Sequence, residues 1–224
     1  MTKTLLITGA STGIGAATAR AAAAKGWRVA LAARSRDKLE ALVAEIGASQ
    51  ALGIAADVTD PAAVEEMVRS AAAFGPLHAV FANAGMGVNA VGTEGGDPDE
   101  WRAMIDLNVY GLCLTAKYAL PELKKAPGGH LLLTGSRAGR EAIKGSVYSA
   151  TKWFVHGYAR NLALEMAAWG GRCTVIAPGM VDTPFFDDPK PQALTADKVA
   201  EAALFALEQP PEVRVGEIFI TPMM

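Results

Sequence analysis

The apolar run Thr4-Leu5-Leu6-Ile7 ends in Thr8-Gly9-Ala10-Ser11-Thr12-Gly13-Ile14-Gly15, and an alanine-rich stretch from Ala16 to Ala24 follows at once. A strand that turns through glycines directly into a helix constrains the fold strongly. The first amides of a helix lack intrahelical acceptors and sit at the positive end of its dipole, and glycines let a ligand's phosphates approach that backbone. The same glycines also suit a tight turn with no ligand, but a strand before them and a helix after them is the context that favours phosphate binding.

The rest of the chain repeats the alternation. Short apolar or β-branched runs at Thr4 to Thr8, Arg28 to Ala32, Ala51 to Ala56, His78 to Ala82, His130 to Thr134, Thr174 to Ile176 and Gly216 to Ile220 are expected as seven strands. Helices are expected between them at Ile14 to Lys25, Arg36 to Ile46, Ala62 to Phe74, Glu100 to Leu123, Tyr148 to Trp169 and Asp197 to Leu207. Asp60-Pro61 marks a helix start and Lys25-Gly26 a helix stop. Strand–helix alternation of this kind predicts a doubly wound α/β fold, a parallel seven-stranded sheet of Rossmann type covered on both faces. With 224 residues and no repeat or linker, residues 1–224 are expected as a single dinucleotide-binding domain. Two loops rich in Gly, Pro, Asn and Asp, Gly85 to Pro98 and Pro178 to Leu194, follow strands on one edge of that sheet, where open α/β sheets bind ligands.

A second motif supplies chemistry. In Tyr148-Ser149-Ala150-Thr151-Lys152 a phenol and an ammonium lie one helical turn apart, on one face of the helix. A neighbouring cation stabilises phenolate and lowers a pKa that is about 10 when unperturbed, which makes tyrosine usable as a proton donor and acceptor. The glycine turn and the Tyr-x-x-x-Lys pair in one chain point to redox chemistry on a nicotinamide cofactor.

Read in order, these motifs resemble the short-chain dehydrogenase/reductase family in its compact single-domain form, from Thr4 to about Thr221. Thr8-Gly-x-x-x-Gly13-x-Gly15, with Ser11, Thr12 and Ile14, resembles the family's cofactor loop. Asp57-Val58 resembles its adenine-contacting pair, and Asn83-Ala84-Gly85 the segment that braces the sheet beside the cofactor. Pro178-Gly179-Met-Val181-Asp-Thr183 is similar to the stretch that cradles the nicotinamide and pyrophosphate. Asn108, Ser136, Tyr148 and Lys152 resemble the catalytic tetrad. The resemblance implies Tyr148 as general acid and base, Ser136 holding the substrate oxygen, and Lys152 on the nicotinamide ribose while lowering the tyrosine pKa. It further implies Asn108 holding a water that links the lysine to solvent.

Cofactor choice is read at the end of the second strand. About 20 residues past the glycine turn, NAD-preferring folds present a carboxylate to the ribose 2'-hydroxyl and NADP-accepting ones a cation to the 2'-phosphate. Here stand Ala33 and Arg34, with Ser35 and Arg36 after them, so NADP (NADPH) is expected and NAD is the lesser choice. Thr12 opposes this, since many NADP-preferring relatives carry a basic residue there.

Other polar and aromatic residues carry weaker signals. Ser146 and Ser149 also lie near Tyr148, but the Ser-x-Ala-Gly context favours Ser136. Tyr158 has no lysine four residues on and is expected to pack. His78, His130 and His156 share no ligand spacing with Cys113 or Cys173, so no metal is expected, and the two cysteines read as buried thiols. Glu65-Glu66, Glu40 and Glu45 read as solvated helix faces. A net charge of -2 gives no footprint for nucleic acid or an anionic membrane, and the runs are too short for a signal peptide or a span, so a cytoplasmic protein is expected.

The expected activity is NADP-dependent interconversion of a carbonyl and an alcohol. A catalytically idle NADP-binding redox sensor is the alternative, and a nucleotide-sugar epimerase or dehydratase a third reading that usually needs a longer chain. The substrate is a small molecule, its pocket lined from Met86 to Glu94, Arg137 to Lys144 and Met180 to Lys190, with Phe185 and Phe186 as apolar contacts. Arg137, Arg140 and Lys144 suit either a carboxylate or plain solvation. The segments Trp101 to Leu123 and Tyr148 to Trp169 carry apolar residues around much of their circumference, which predicts a homodimer or homotetramer through paired helices.

Overall fold

The computed structural model describes residues 2–87, 92–186 and 188–223. Parts of the expected pocket lining, at 88–91 and 187, lie outside the described residues. Seven parallel strands form one sheet, in which the first strand of the chain is central, the second and third lie to one side of it and the other four to the other. They are β1 (Thr4–Thr8), β2 (Arg28–Ala33), β3 (Ala51–Ala55), β4 (Leu77–Ala82), β5 (His130–Thr134), β6 (Arg172–Pro178) and β9 (Glu217–Ile220). The strand order reverses between β1 and β4, the crevice where sheets of this kind take ligands.

Helices cover both faces, as the alternation predicts. On one side α1 (Gly13–Ala24), α2 (Arg36–Ile46) and α7 (Ala196–Glu208) bury Ala16, Ala19, Leu39, Leu42, Val199 and Ala203 against Leu5, Ile7, Leu31 and Phe81. On the other, α3 (Pro61–Phe74), α5 (Leu112–Leu123) and α6 (Val147–Ala167) pack Val64, Met67, Leu114, Leu123, Val155 and Leu162 on Leu6, Val80, Leu131 and Leu133. Every residue of β1 is buried because both faces of this central strand are covered. Asp60 caps α3 by accepting from the amides of Ala62 at 2.9 Å and Ala63 at 3.4 Å, with Pro61 at the first helical position.

Three elements depart from the sequence pattern. The helix expected over Glu100 to Leu123 is α4 (Pro98–Ile105), a π-helical turn at Asp106–Gly111, and α5. Apolar periodicity runs through all three, so the wider turn is invisible to it. Gly111 permits the close approach: a Cβ there would lie 3.1 Å from the Val58 carbonyl oxygen. β6 begins two residues before the expected Thr174, because Arg172 is buried and its Nη1 donates to the carbonyl oxygens of Gln209 at 2.9 Å and Pro210 at 3.3 Å. Finally, β7 (Val181–Asp182) and β8 (Leu194–Thr195) pair with each other and tie together the two ends of the 183–193 segment. Strands of two residues are too short to show a period.

Candidate active site

At the carboxyl ends of β1 and β4 the backbone is drawn tight around glycines. Gly9 and Gly13 have φ of 64° and 53°, which L side chains rarely adopt. A Cβ on Gly15 would press into the Gly9 carbonyl and come within 2.8 Å of Asn83 Nδ2, and one on Gly9 would be 2.9 Å from Ala84 Cα. Thr12 is the N-cap residue of α1, and its side chain makes no capping hydrogen bond. The amides of Gly13, Ile14 and Gly15 therefore receive no acceptor from the Thr12 side chain, as a phosphate cradle requires. Ser11 and Ile14 complete the turn, and Ile14 accepts from Thr18 Oγ1 at 2.8 Å.

Asn83 ties three strands together. Its Nδ2 donates to the carbonyls of Thr8 at 3.0 Å and Gly9 at 3.3 Å, and its Oδ1 accepts from Thr134 Oγ1 at 3.0 Å. Thr8 Oγ1 accepts from the amides of Asn83 at 3.0 Å and Ala84 at 3.1 Å. The glycine turn is thereby fixed to β4 and β5. Thr183 reaches it from the other side, since a Cβ on Gly13 would touch the Thr183 side chain at 3.3 Å. Pro178 ends β6, the Gly179 amide donates to Ile220 O at 2.7 Å, and Val181 is buried in β7. These contacts hold the 178–183 segment beside the turn.

Arg34 and Ser35 are exposed just beyond β2, with Ser35 as N-cap of α2. Asp57 stands nearby. Its Oδ1 accepts from the amide of Thr59 at 2.9 Å and from Thr59 Oγ1 at 2.8 Å. The Thr59 amide, with help from the Thr59 hydroxyl and the Arg34 charge, holds the Asp57 carboxyl below its ordinary pKa against a burial effect that raises it. Val58 is buried beneath this corner.

α6 delivers the phenol and ammonium together. Lys152 is buried, its Nζ donates to Thr134 O at 2.8 Å, and it lies 5.7 Å from the centroid of the Tyr148 ring. Burial lowers the Lys152 pKa to about 8. Burial also raises the Tyr148 pKa, while the nearby Ser136 hydroxyl pulls it the other way. The expectation of a phenol depressed by its lysine is therefore not met in the chain alone: loss of hydration outweighs the Ser136 hydroxyl. Ser136 precedes a 3-10 turn, Arg137–Gly139, and its Oγ accepts from the amide of Ala138 at 3.0 Å.

The π turn brings in Asn108. Its Nδ2 donates to Met86 O at 2.8 Å and to Thr151 Oγ1 at 3.1 Å, and its Oδ1 accepts from the Met86 amide at 2.9 Å. A Cβ on Gly85 would lie 3.2 Å from Asn108 Oδ1 and 3.6 Å from Lys152 Nζ, so both atoms converge on the space above that glycine. Thr8, Thr134 and Thr151 are thus parts of the site that motif reading assigned no side-chain or carbonyl role. Their one signal was adjacency to Gly9, Ser136 and Lys152.

Phe185 closes the site on the outer side. Its ring centroid is 5.8 Å from that of Tyr148, and a Cβ on Gly87 would be 2.7 Å from its Cζ. Two of the three cations weighed for a carboxylate are engaged elsewhere: Arg137 pairs with Glu141 at 3.6 Å and Arg140 with Glu217 at 3.2 Å. Tyr158 packs on Phe154 with centroids 5.4 Å apart, as expected for a structural ring. Among the described residues no group of His, Cys, Asp and Glu could hold a metal. Cys173 is buried, but Cys113 is only half-buried, because it lies on the outer side of α5.

Residues 3–193 match the sequence model of the short chain dehydrogenase family. The chain belongs to that family. Its members include an uncharacterized oxidoreductase of Staphylococcus aureus strain MRSA252, 38% identical over 226 residues that cover 99% of this chain and 97% of the relative. Among solved structures, the alcohol dehydrogenase of the archaeon Thermococcus sibiricus, complexed with 5-hydroxy-NADP, superposes with a TM-score of 0.91 at 34% identity, covering 99% of this chain and 97% of that one. The 3-ketoacyl-(acyl-carrier-protein) reductase of Brucella melitensis, complexed with NADH, superposes with a TM-score of 0.90 at 29% identity over 98% and 96% of the two chains. The family assignment makes this chain an oxidoreductase with a nicotinamide cofactor. Among the described residues no helix is long and apolar enough to cross a membrane.

Proposed function

We propose that this oxidoreductase uses NADP to interconvert a carbonyl and an alcohol, with Tyr148 as the general acid and base. The observation that carries the reading is that α6 brings Tyr148 and Lys152 to the sheet edge that also holds the Ser136 turn and the glycine cradle. A bound nicotinamide supplies the hydride to the carbonyl carbon. Tyr148, a neutral phenol held so by burial, gives its proton to the developing alkoxide, and Ser136 donates to the same oxygen from a second side. Lys152 holds its ammonium above Thr134 O, where it can reach a ribose hydroxyl and return a proton to the phenolate. The Asn108 amide uses both donors on Met86 and Thr151, and its oxygen keeps a lone pair for a water facing Lys152.

NADP is favoured by Ala33 and Arg34, which offer no carboxylate to repel a 2'-phosphate and a guanidinium that would attract one. The alcohol dehydrogenase with 5-hydroxy-NADP bound agrees with this choice, whereas the reductase with NADH bound shows that the family's fold accommodates both. The pairing of Arg137 and Arg140 with glutamates, together with the Phe185 ring over Tyr148, favours an uncharged substrate.

A homo-oligomer joined through α6 also fits. Trp153 and Leu164 are 51% and 74% exposed on one stripe of that helix, with Gly157 between them leaving room for a close approach. Light scattering at micromolar concentration is expected to give at least a dimer, and Leu164→Glu to shift it toward monomer.

NADPH oxidation against a panel of aldehydes, ketones and keto acids tests the reaction. Tyr148→Phe should bind NADPH as the parent does and lose about 100-fold or more of turnover with whichever substrate is found. Near-parental turnover in Tyr148→Phe would show that the acid is another group.

A further inference from the structure

His156 has no part in the reaction described above, yet it lies one helical turn beyond Lys152 on the same face of α6 and is buried. Its ring fills the space beneath the turn that carries Ser136. Gly135 and Gly139 flank that turn. A Cβ on Gly135 would be 2.7 Å from His156 Nε2, and one on Gly139 would be 2.6 Å from His156 Cδ2. On the opposite edge of the ring, Nδ1 lies 3.6 Å from Oε1 of Glu217 in β9. Glu217 in turn accepts from Arg140 Nη1 at 3.2 Å, and the Arg140 guanidinium lies 4.5 Å from the Phe219 ring centroid. A continuous set of contacts therefore runs from the edge strand, through the imidazole, to the backbone on both sides of Ser136.

Filling volume does not account for a histidine here. Its Nε2 is buried with no hydrogen bond of good geometry among the described residues, although the Ser136 backbone lies near enough to favour the charged ring, and a leucine or phenylalanine would fill the space with no polar atom to satisfy. Burial holds the imidazole below its ordinary pKa, and Arg140 and Lys152 push it the same way. Glu217 and the backbone of Ser136 oppose them. The groups that favour the protonated ring are thus on the edge strand and in the catalytic turn, one on each side of it.

We propose that His156 is a positioning residue for Ser136, an imidazole braced by Glu217 that sets where the 135–139 turn, and so the serine hydroxyl, sits relative to Tyr148. The role rests on Ser136 acting on the substrate oxygen, as in the reaction proposed above. Ser149 anchors the far end of the same turn, with its Oγ donating to Ala138 O at 2.7 Å, so loss of His156 tilts the turn instead of releasing it. Its effect should therefore fall on turnover and leave the glycine cradle, built on β1 and β4, undisturbed.

A double-mutant cycle on the full chain tests this. His156→Leu, which keeps an apolar group of similar bulk, should lower kcat about 10-fold to 100-fold, as a displaced catalytic group does, with NADPH affinity unchanged. In a Ser136→Ala background the same substitution should have almost no further effect. Should His156→Leu fold poorly, His156→Gln and Glu217→Gln serve in the same cycle. A readout independent of turnover is the proton NMR titration of the His156 ring in the free chain. Removing the Glu217 charge removes a group that raises the ring's pKa, so Glu217→Gln should lower it further. Ser136→Ala that damages turnover, with His156→Leu fully additive to it, overturns this inference alone. Ser136→Ala with parental turnover overturns the assigned serine and this inference with it. A His156 titration unmoved by Glu217→Gln removes the brace.

Discussion

The two halves of the site are built by opposite means. At β1–α1 the structure depends on what is missing: three glycines, two of them at positive φ, let the backbone close on Asn83 and Ala84 and leave helix amides open. At β5–α6 it depends on which side chains are present: a buried lysine and asparagine with a half-buried phenol and serine, gathered from three separate stretches of chain. A binding surface made of backbone tolerates few substitutions at its glycines and is indifferent to most neighbours. A cluster of titratable side chains, as the proposed reaction uses, is sensitive to anything that changes burial or charge around it.

The largest effect that breaks this comparison is expected at Gly15, which packs on Asn83, the side chain that links the two halves. Gly15→Ala drives a Cβ toward Gly9 O and Asn83 Nδ2, and Asn83 is also bonded to Thr134 of the catalytic half. Cofactor affinity and turnover should both fall by about 100-fold, and thermal unfolding should occur at lower temperature, by the few degrees that about 1–3 kcal/mol of overpacking implies. Calorimetric melting with dinucleotide titration measures both; retained affinity would show that the turn yields.

A smaller and cleaner effect is expected at Ala33 and Arg34, which touch the cofactor half alone. Ala33→Asp/Arg34→Ala should reverse the preference from NADPH toward NADH, a change in kcat/KM of about 10-fold to 100-fold for each cofactor, while kcat at saturation stays near parental. Unchanged preference in the double variant, or a parent that uses both cofactors equally, would assign discrimination elsewhere.

The smallest effect belongs to the catalytic half. With the Lys152 pKa lowered to about 8, its ammonium is partly deprotonated in the free chain just above that pH. An anionic dinucleotide beside it favours the charged form, so binding between about pH 8 and 9 should take up a fraction of a proton, and Lys152→Met should abolish the uptake. Calorimetry in buffers of different ionisation enthalpy reads this directly. For stability the sign is fixed by the same shift: the unfolded chain binds more protons between about 8 and the ordinary lysine value of 10.5, so this group adds stability as pH rises through that window.

The same contrast explains what the sequence disclosed. Gly9, Gly13 and Gly15 were legible because a backbone turn leaves its signature in residue type and spacing, and the seven strands were legible because apolar runs separated by helices have few other solutions. Tyr148 and Lys152 were legible through helical spacing. The π turn at Asp106–Gly111 was not, because Asn108 turns inward by local underwinding that leaves the apolar pattern unaltered. Nor was the balance at Tyr148: proximity of a lysine can be read from spacing, but the dehydration that raises the phenol's pKa comes from how the chain folds around the ring, with the Phe185 ring 5.8 Å from it.

The position of β1 in the middle of the sheet also dictates the order in which the molecule can assemble. β1 finds β2 within about twenty residues of chain, but its other neighbour, β4, begins only at Leu77. Until β4 arrives, one long edge of a strand with Leu5, Leu6 and Ile7 stands open, apolar on both faces and free to pair with any other strand. The glycine turn is thus specified in the first fifteen residues but cannot be set until Asn83 docks on Thr8. Nascent chains halted between β3 and β4 should be the species that aggregates, and Asn83 the residue whose docking ends that exposure.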